Sequence, residues 1–540
     1  MAQVSIDGIS FRERVALGDF YFGAPRGAIG VIDYDNDGFM DLFIGGGANI
    51  ANRLYHNVPD PNAPGARTFI DVTAGSGLDN ADALTRDAAG VLIVDYDNDG
   101  DSDVYLVGRE LNDFSQLYRN DGGGHFTDVS VSSGARRPGG FNDSGAWMDY
   151  DLDGDLDLIV SRSQAPYRHM LENDGAGHFT DISDRLPALD AFTHCYAQAC
   201  LDFDNDGWED SFFVTNTTEV LLHNVPDPNG GRRFENVAEQ VGYVDHGPAP
   251  MGIAFGDYDN DGDFDIALSN GTTGSFYRNT GAAFEKFTPF TTFFGWGVNW
   301  VDVDNDGDLD YFTSGSNPVA SNFDILRRNM GGGAFDDISP ALNGLRTLSK
   351  FSAQIDYNND GRMDMMTILP ANGSNFYENV STTTGHWFRV KLVGDGVDVN
   401  RDAAGAVVRI TTASGSQIRL RTITTSTVST EDPRPHFGLG PDSQVNQIEV
   451  RWPRIGSIAA RTDTYTGPFA ADQTVTLTPI GVVGDIDGDC EVGLSDLAGL
   501  LSQFGSSGAA YEDGDLTGDG IVDLQDLAGM LARFGRACAQ

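Results

Sequence analysis

The sequence predicts a mainly β protein in three parts. These are a seven-bladed β-propeller over residues 1–382, a small antiparallel β domain over 383–480, and a small α-helical, EF-hand-like calcium-binding module over 481–540. Three observations predict it. An acidic nine-residue motif recurs seven times between Asp33 and Asp364, a Thr-, Val- and Arg-rich stretch alternates with period two, and a 30-residue unit is duplicated near the C-terminus.

The seven copies read DYDNDGFMD from Asp33, DYDNDGDSD from Asp95, DYDLDGDLD from Asp149, DFDNDGWED from Asp202, DYDNDGDFD from Asp257, DVDNDGDLD from Asp302 and DYNNDGRMD from Asp356. Successive copies start 62, 54, 53, 55, 45 and 54 residues apart, a period that suits one four-stranded propeller blade. Each copy lies between two apolar stretches, such as GVLIV before and LFIGG or VYLVG after, so each is a loop joining two strands. A second signature follows about twenty residues on: LYRNDGGGHFTDV at Leu117, MLENDGAGHFTDI at Met170, RRNMGGGAFDDI at Arg327. It reads as strand, glycine-rich turn, strand. Two hairpins per period make a blade, and seven blades close a ring that leaves no open sheet edge.

The loop pattern is that of a hard-cation cage. Calcium takes six to eight oxygens. Carboxylates at positions one, three and five line one side of a tight turn, glycine at position six permits it, the position-seven carbonyl adds a donor, and the aspartate at position nine closes the cage. Loop one offers Asp33, Asp35, Asp37, the Phe39 carbonyl and Asp41; loop two Asp95, Asp97, Asp99, Asp101 and Asp103. Loop three offers Asp149, Asp151, Asp153, Asp155 and Asp157; loop four Asp202, Asp204, Asp206, the Trp208 carbonyl and Asp210. Loop five offers Asp257, Asp259, Asp261, Asp263 and Asp265; loop six Asp302, Asp304, Asp306, Asp308 and Asp310. Loop seven has Asp356, Asn358, Asp360, Arg362 and Asp364, and its asparagine and arginine make it the weakest site. With a Kd of about 10⁻⁴ M at roughly millimolar calcium, each site stabilises the fold by about 1.4 kcal/mol, and seven give about 10 kcal/mol. That places the protein where calcium is millimolar, extracellular or at the cell surface. The opening MAQVSIDGIS has neither the basic nor the apolar region of a signal peptide, so secretion rests on the calcium argument.

Over about residues 15–380 these repeats resemble the FG-GAP (VCBS-type) repeats of integrin α-chain propellers. The resemblance implies about seven bound Ca²⁺ and a protein or glycan ligand at a propeller face.

Between 383 and 480 the acidic motif stops. WFRVKLVG, AGAVVRITTASG, SQIRLRTITT and NQIEVRWP alternate with period two. EDPRPHFGLG from Glu431, with VNQIEVRWP after it, resembles the ASPIC/UnbV domain that follows such propellers, as in cartilage acidic protein. That family's NRxGxGA loop stands here as NRDAAGA at Asn400, with an alanine where the first glycine is usual. His436 reads as a packed structural residue, since no nucleophile or acid is paired with it.

The last segment holds GDIDGDCEVGLSDLAGLLSQFG from Gly484 and GDLTGDGIVDLQDLAGMLARFG from Gly514. Each is a twelve-residue loop running into a helix with apolar residues at helical spacing. Loop one offers Asp485, Asp487, Asp489, the Glu491 carbonyl and Asp496; loop two offers Asp515, Thr517, Asp519, the Ile521 carbonyl and Asp526. The pair resembles a type I dockerin. That implies two more Ca²⁺ and a cohesin-type partner bound through residues 485–535, with Leu494-Ser495 and Leu524-Gln525 at the recognition positions. It also implies a Cys490–Cys538 clasp, because dockerin termini lie close together. Cys195 and Cys200, five apart, read either as a bridge or as two buried thiols.

The chain carries 34 basic against 80 acidic residues, which argues against nucleic-acid partners and anionic membranes. The nine loops hold 41 of those 80 acids, so the charge is mostly a metal-site inventory. No run of about 18 apolar residues marks a membrane span. No HExxH, GxSxG, P-loop or strand–GxGxxG–helix signature marks an enzyme, and His125 and His178 fall in repeat turns. The expected function is a secreted calcium-binding adhesion or scaffold protein. The alternative is a dockerin-tethered polysaccharide hydrolase or lyase.

Overall fold

A computed structural model describes residues 5–537 except 14–27, 47–50, 80–87, 109–113, 138–141, 163–167, 189–194, 217–218, 229, 245, 272–273, 282, 289, 291–294, 316–323, 343–348, 369–373, 383–384, 454–460 and 518–519. Among the described residues the first 380 or so form seven four-stranded antiparallel sheets. Their first strands are Ile29–Ile32, Ala88–Val94, Asn142–Met148, Cys195–Leu201, Ile253–Gly256, Gly295–Val301 and Phe351–Ile355. Each first strand packs on that of the next sheet, and Phe351–Ile355 packs on Ile29–Ile32, so the arrangement is a closed, propeller-like ring. Sheets covered on both faces need apolar residues throughout rather than alternation. Accordingly, every residue of Asp103–Gly108, Asp157–Arg162 and Asp210–Thr215 is buried.

Six sheets follow chain order. The seventh departs from the expected two hairpins per period: its outer strand is Phe11–Glu13, from the N-terminus, paired antiparallel with Ser374–Asn379. The two ends of the ring are thereby stitched into one sheet. One core cluster joins Ile29, Leu42 and Phe43 to Val91 and to Phe351, Ile355 and Met366 across that seam.

Residues 386–477 form two facing sheets around Phe388, Val390, Val408, Ile410, Phe437, Ile448 and Trp452. One has four antiparallel strands. The other is mixed, because His386–Leu392 pairs in parallel with Gln473–Leu477. The antiparallel expectation fails there for a topological reason: the first and last strands of this unit lie side by side and run the same way. After it come two short helices, Leu494–Gln503 and Leu524–Ala532, over a small core of Val483, Val492, Leu500, Leu516, Val522 and Met530.

Candidate metal centres on a capped face

Each acidic motif joins the first strand of its sheet to the second, and its position-nine aspartate is the first residue of that second strand. Two left-handed residues make the turn. Position four lies at φ 56–61° in all seven loops, and the position-six glycine at φ 80–100°. Asparagine tolerates that region; Leu152 in loop three is the exception, at φ 61°. The turn aims backbone donors inward. The position-six N–H donates to the position-one carboxylate in every loop, for instance Gly100 to Asp95 at 2.8 Å and Gly307 to Asp302 at 2.9 Å. The position-seven N–H donates to position five at 2.8–3.0 Å.

An asparagine in the third strand of each sheet completes the cage, and reasoning from sequence missed it. Asn57, Asn120, Asn173, Asn224, Asn279, Asn329 and Asn379 donate their backbone N–H to the position-nine carboxylate at 2.7–2.8 Å. Their side-chain amides donate, at 2.7–3.2 Å, to the position-two carbonyl of the preceding sheet's loop. The Asn57–Tyr357 link closes this circuit between sheets one and seven. The signal stood in the sequence as the HN, RN and EN pairs of LYHNV, LYRND and MLEND.

Packing so many carboxylates together is costly without a cation. Burial, then neighbouring aspartates, hold Asp149, Asp157 and Asp302 well above the usual carboxylate range. Burial pushes Asp41 and Asp95 up to about 8 and Asp265 up to about 9. In loops two, three, five and six a buried position-three oxygen, Oδ1 of Asp97, Asp151, Asp259 and Asp304, has no hydrogen-bond donor among the described residues. A buried, donor-less carboxylate oxygen calls for a cation. Carboxylate atoms of loops one and two lie within 4.8 Å of one another, and an all-oxygen set fits calcium. In loops one and four a histidine joins: Asp35, Asp41 and His56 converge, as do Asp204, Asp210 and His223. His223 Nδ1 lies 2.9 Å from Asp210 Oδ1. The side chains of Phe39 and Trp208 lie under the guanidinium groups of Arg67 and Arg232, at 3.3 and 3.6 Å.

Residues 386–477 sit on this acidic face as a cap. Lys391 lies 3.7 Å from Asp33, Arg451 lies 3.0 Å from Asp202, and Arg389 pairs with Asp356 where neither side chain is exposed. The Arg401 N–H donates to Asn98 in loop two at 2.8 Å. A Cβ on Gly154 in loop three would stand 2.8 Å from the Val397 carbonyl, and one on Gly262 in loop five 3.7 Å from Arg409. His436 Nε2 lies 2.8 Å from Asn305 Oδ1 in loop six. The cap therefore reaches all seven loops. Part of the loops' charge is thus answered in cis by the cap's arginines and lysine.

The cap also sends a segment, 422–435, between the inner strands of the ring. Ile253 and Ser426 exchange backbone hydrogen bonds at 3.0 and 2.8 Å; Val91 N–H donates to the Val428 carbonyl at 3.0 Å; Val31 N–H donates to that of Thr430 at 2.9 Å. Asn299 of sheet six donates to Glu431 at 2.8 Å. Gly90 is required there, because a Cβ would meet Val428 Cγ1 at 2.1 Å. Thr424–Thr430 is fully buried.

Residues 396–482 match the ASPIC and UnbV family model. The FG-GAP-like repeat model matches residues 95–160 and 202–268. Human cartilage acidic protein 1 is 26% identical over 269 residues, 44% of this chain and 37% of the relative. The Xenopus tropicalis protein of that name is 25% identical over 310 residues, 55% of this chain and 39% of the relative. The chain thus spans well under half the length of these curated relatives. A solved structure titled as an Agrocybe aegerita lectin recognising non-reducing terminal N-acetylglucosamine is similar at 16% identity and a TM-score of 0.37, over 58% of this chain and 79% of that one.

His436 is buried, and burial pushes its imidazole well below its ordinary value, which fits a packed residue. Cys195 and Cys200 are buried thiols and are not bridged to each other. In the C-terminal module Asp485, Asp487, Asp489 and Asp496 converge within 4.8 Å. Asp496 accepts from the N–H groups of Ile486, Asp487 and Gly493, tying loop to helix. In the second loop Asp526 accepts from Thr517 and Asp523, and Thr517 donates to Asp515 at 3.2 Å. Glu491 bridges Ala537 beside the chain end, and Ile521 bridges Ser507. Cys490 is disulfide-bonded; Asp519 and Cys538 lie outside the described residues. No helix among the described residues is long and apolar enough to cross a membrane.

Proposed function

We propose that the chain is a calcium-stabilised, seven-bladed propeller scaffold that works outside the cell or at its surface. In this reading the 383–480 domain caps one propeller face, a protein or glycan ligand binds another face, and residues 485–535 dock onto a cohesin-type domain. The observation that carries the calcium part is the donor-less position-three oxygen repeated in four loops. The docking part draws support from Leu494 and Leu524. These equivalent positions of the duplicated unit are 75% and 71% exposed although both are leucine. A titration of the full chain with a cohesin-type domain, with and without calcium, tests the docking. Calcium-dependent binding that disappears in the L494D/L524D double variant is the expected result.

A second reading, a carbohydrate-active enzyme, has one observation in its favour. Burial pushes Glu431 up to about 7, while against its burial Arg434 holds the adjacent Asp432 down to about 2. Divergent carboxyls of this kind serve glycoside hydrolysis. Their cavity measures only about 80 Å³, far below the roughly 300 Å³ at which ligand sites begin, so the scaffold reading is the stronger. Reproducible product release from a glycan panel reverses that order.

A further inference from the structure

The seventh acidic loop does not fit a metal. Its three carboxylates are already supplied with donors. Asp356 accepts from Asp360 N–H at 3.1 Å and Gly361 N–H at 2.7 Å, and pairs with the Arg389 guanidinium. Asp360 accepts from Arg362 N–H at 3.0 Å and from the Asn358 amide at 3.0 Å, and pairs with the Arg362 guanidinium. Asp364 accepts from Asn379 N–H at 2.7 Å and Tyr357 N–H at 3.4 Å. At position three, where four other loops keep a bare oxygen, Asn358 turns an N–H donor toward Asp360. A cation entering here would meet two guanidinium groups and an amide donor in place of two carboxylates.

The same groups tie three parts of the chain together. Arg389 and Arg434 both donate to Asn359 Oδ1, at 3.3 and 2.9 Å. Arg434 also pairs with Asp432 at 2.7 Å and reaches the Asp356 carbonyl at 3.4 Å and the Gly38 carbonyl of loop one at 3.4 Å. Asn359 donates to Gly38 O at 3.0 Å. This is the seam where sheet seven, built from both ends of the ring, meets sheet one.

We infer that loop seven is a metal-free clasp, in which arginines have replaced the cation, and that it fastens the cap to the ring seam whether or not the other loops are loaded. The inference rests on the calcium reading of those other loops. Native mass spectrometry of the full chain in calcium tests it. D304N, in loop six, lowers the number of bound ions by one, while D360N leaves it unchanged. A count that falls by one in D360N overturns the inference alone; a wild-type chain that takes up no calcium removes the calcium reading and this inference with it. Anomalous diffraction from the calcium-loaded wild type needs no variant, and a metal peak within loop seven is equally fatal. Hydrogen exchange in chelator reads the clasp: 422–436 stays protected in the wild type and loses protection in R389M. Loss of that protection in the chelated wild type refutes a metal-independent clasp.

Discussion

Loops two, three, five and six and loops one, four and seven share one nine-residue pattern, yet their charge is answered differently. The first group has aspartate at position seven and a position-three oxygen without a donor. The second has Phe39, Trp208 or Arg362 at position seven, and each receives a cap cation at position one: Lys391, Arg451 or Arg389. A repeat can thus keep its backbone turn, set by residues four and six, while its electrostatic role drifts. The extreme is loop seven, where guanidinium groups complete the cage. Arginine suits this because its planar fork meets carboxylate and carbonyl together and keeps its charge when buried.

Removing the metal should have the largest effect on the two groups of loops. Six loops at about 1.4 kcal/mol each contribute about 8 kcal/mol, so a chelator should lower the melting temperature sharply, as read by calorimetry. The chelated protein should also respond to pH. With Asp41 and Asp95 up at about 8 and Asp265 at about 9, against about 4 unfolded, the folded state holds protons that the unfolded state releases. That stabilisation is full below about pH 4 and is lost as pH rises through 8 to 9. Melting in chelator should therefore fall between pH 5 and pH 8, and calcium should abolish the fall.

Next in size is R389M. Leaving Asp356 buried without its partner costs about 3–5 kcal/mol, measured by denaturant unfolding in saturating calcium; the longer, half-exposed Lys391–Asp33 pair at 3.7 Å should cost less, about 1 kcal/mol, in K391M. N329A removes a backbone-capping amide and leaves the Tyr258 carbonyl short of a donor, at about 1–3 kcal/mol. The smallest effect on stability belongs to L494D, which should leave the melting temperature unchanged while weakening any cohesin complex.

Much of this was legible in the chain. Seven motifs at a blade-length period gave seven sheets, because each acidic turn must join two buried strands. Loop seven stood out by Asn358 and Arg362. Two things were not legible. The seam strand was hidden because Phe11–Glu13 lies outside the repeat and pairs with residues more than 360 positions away. The cap was hidden because period-two alternation reports which face of a strand is apolar, and says nothing of what its polar face meets.

The turns are encoded locally, since asparagine and glycine at positions four and six carry their left-handed geometry with them. The sequence also sets where acids accumulate. What neutralises them is set by the folded arrangement. Whether a carboxylate meets a backbone N–H, a bare cavity or an arginine from another strand depends on contacts such as Arg389 with Asp356, 33 residues apart, or Arg451 with Asp202, 249 residues apart. Coulomb energy follows distance in space, and no local pattern encodes that.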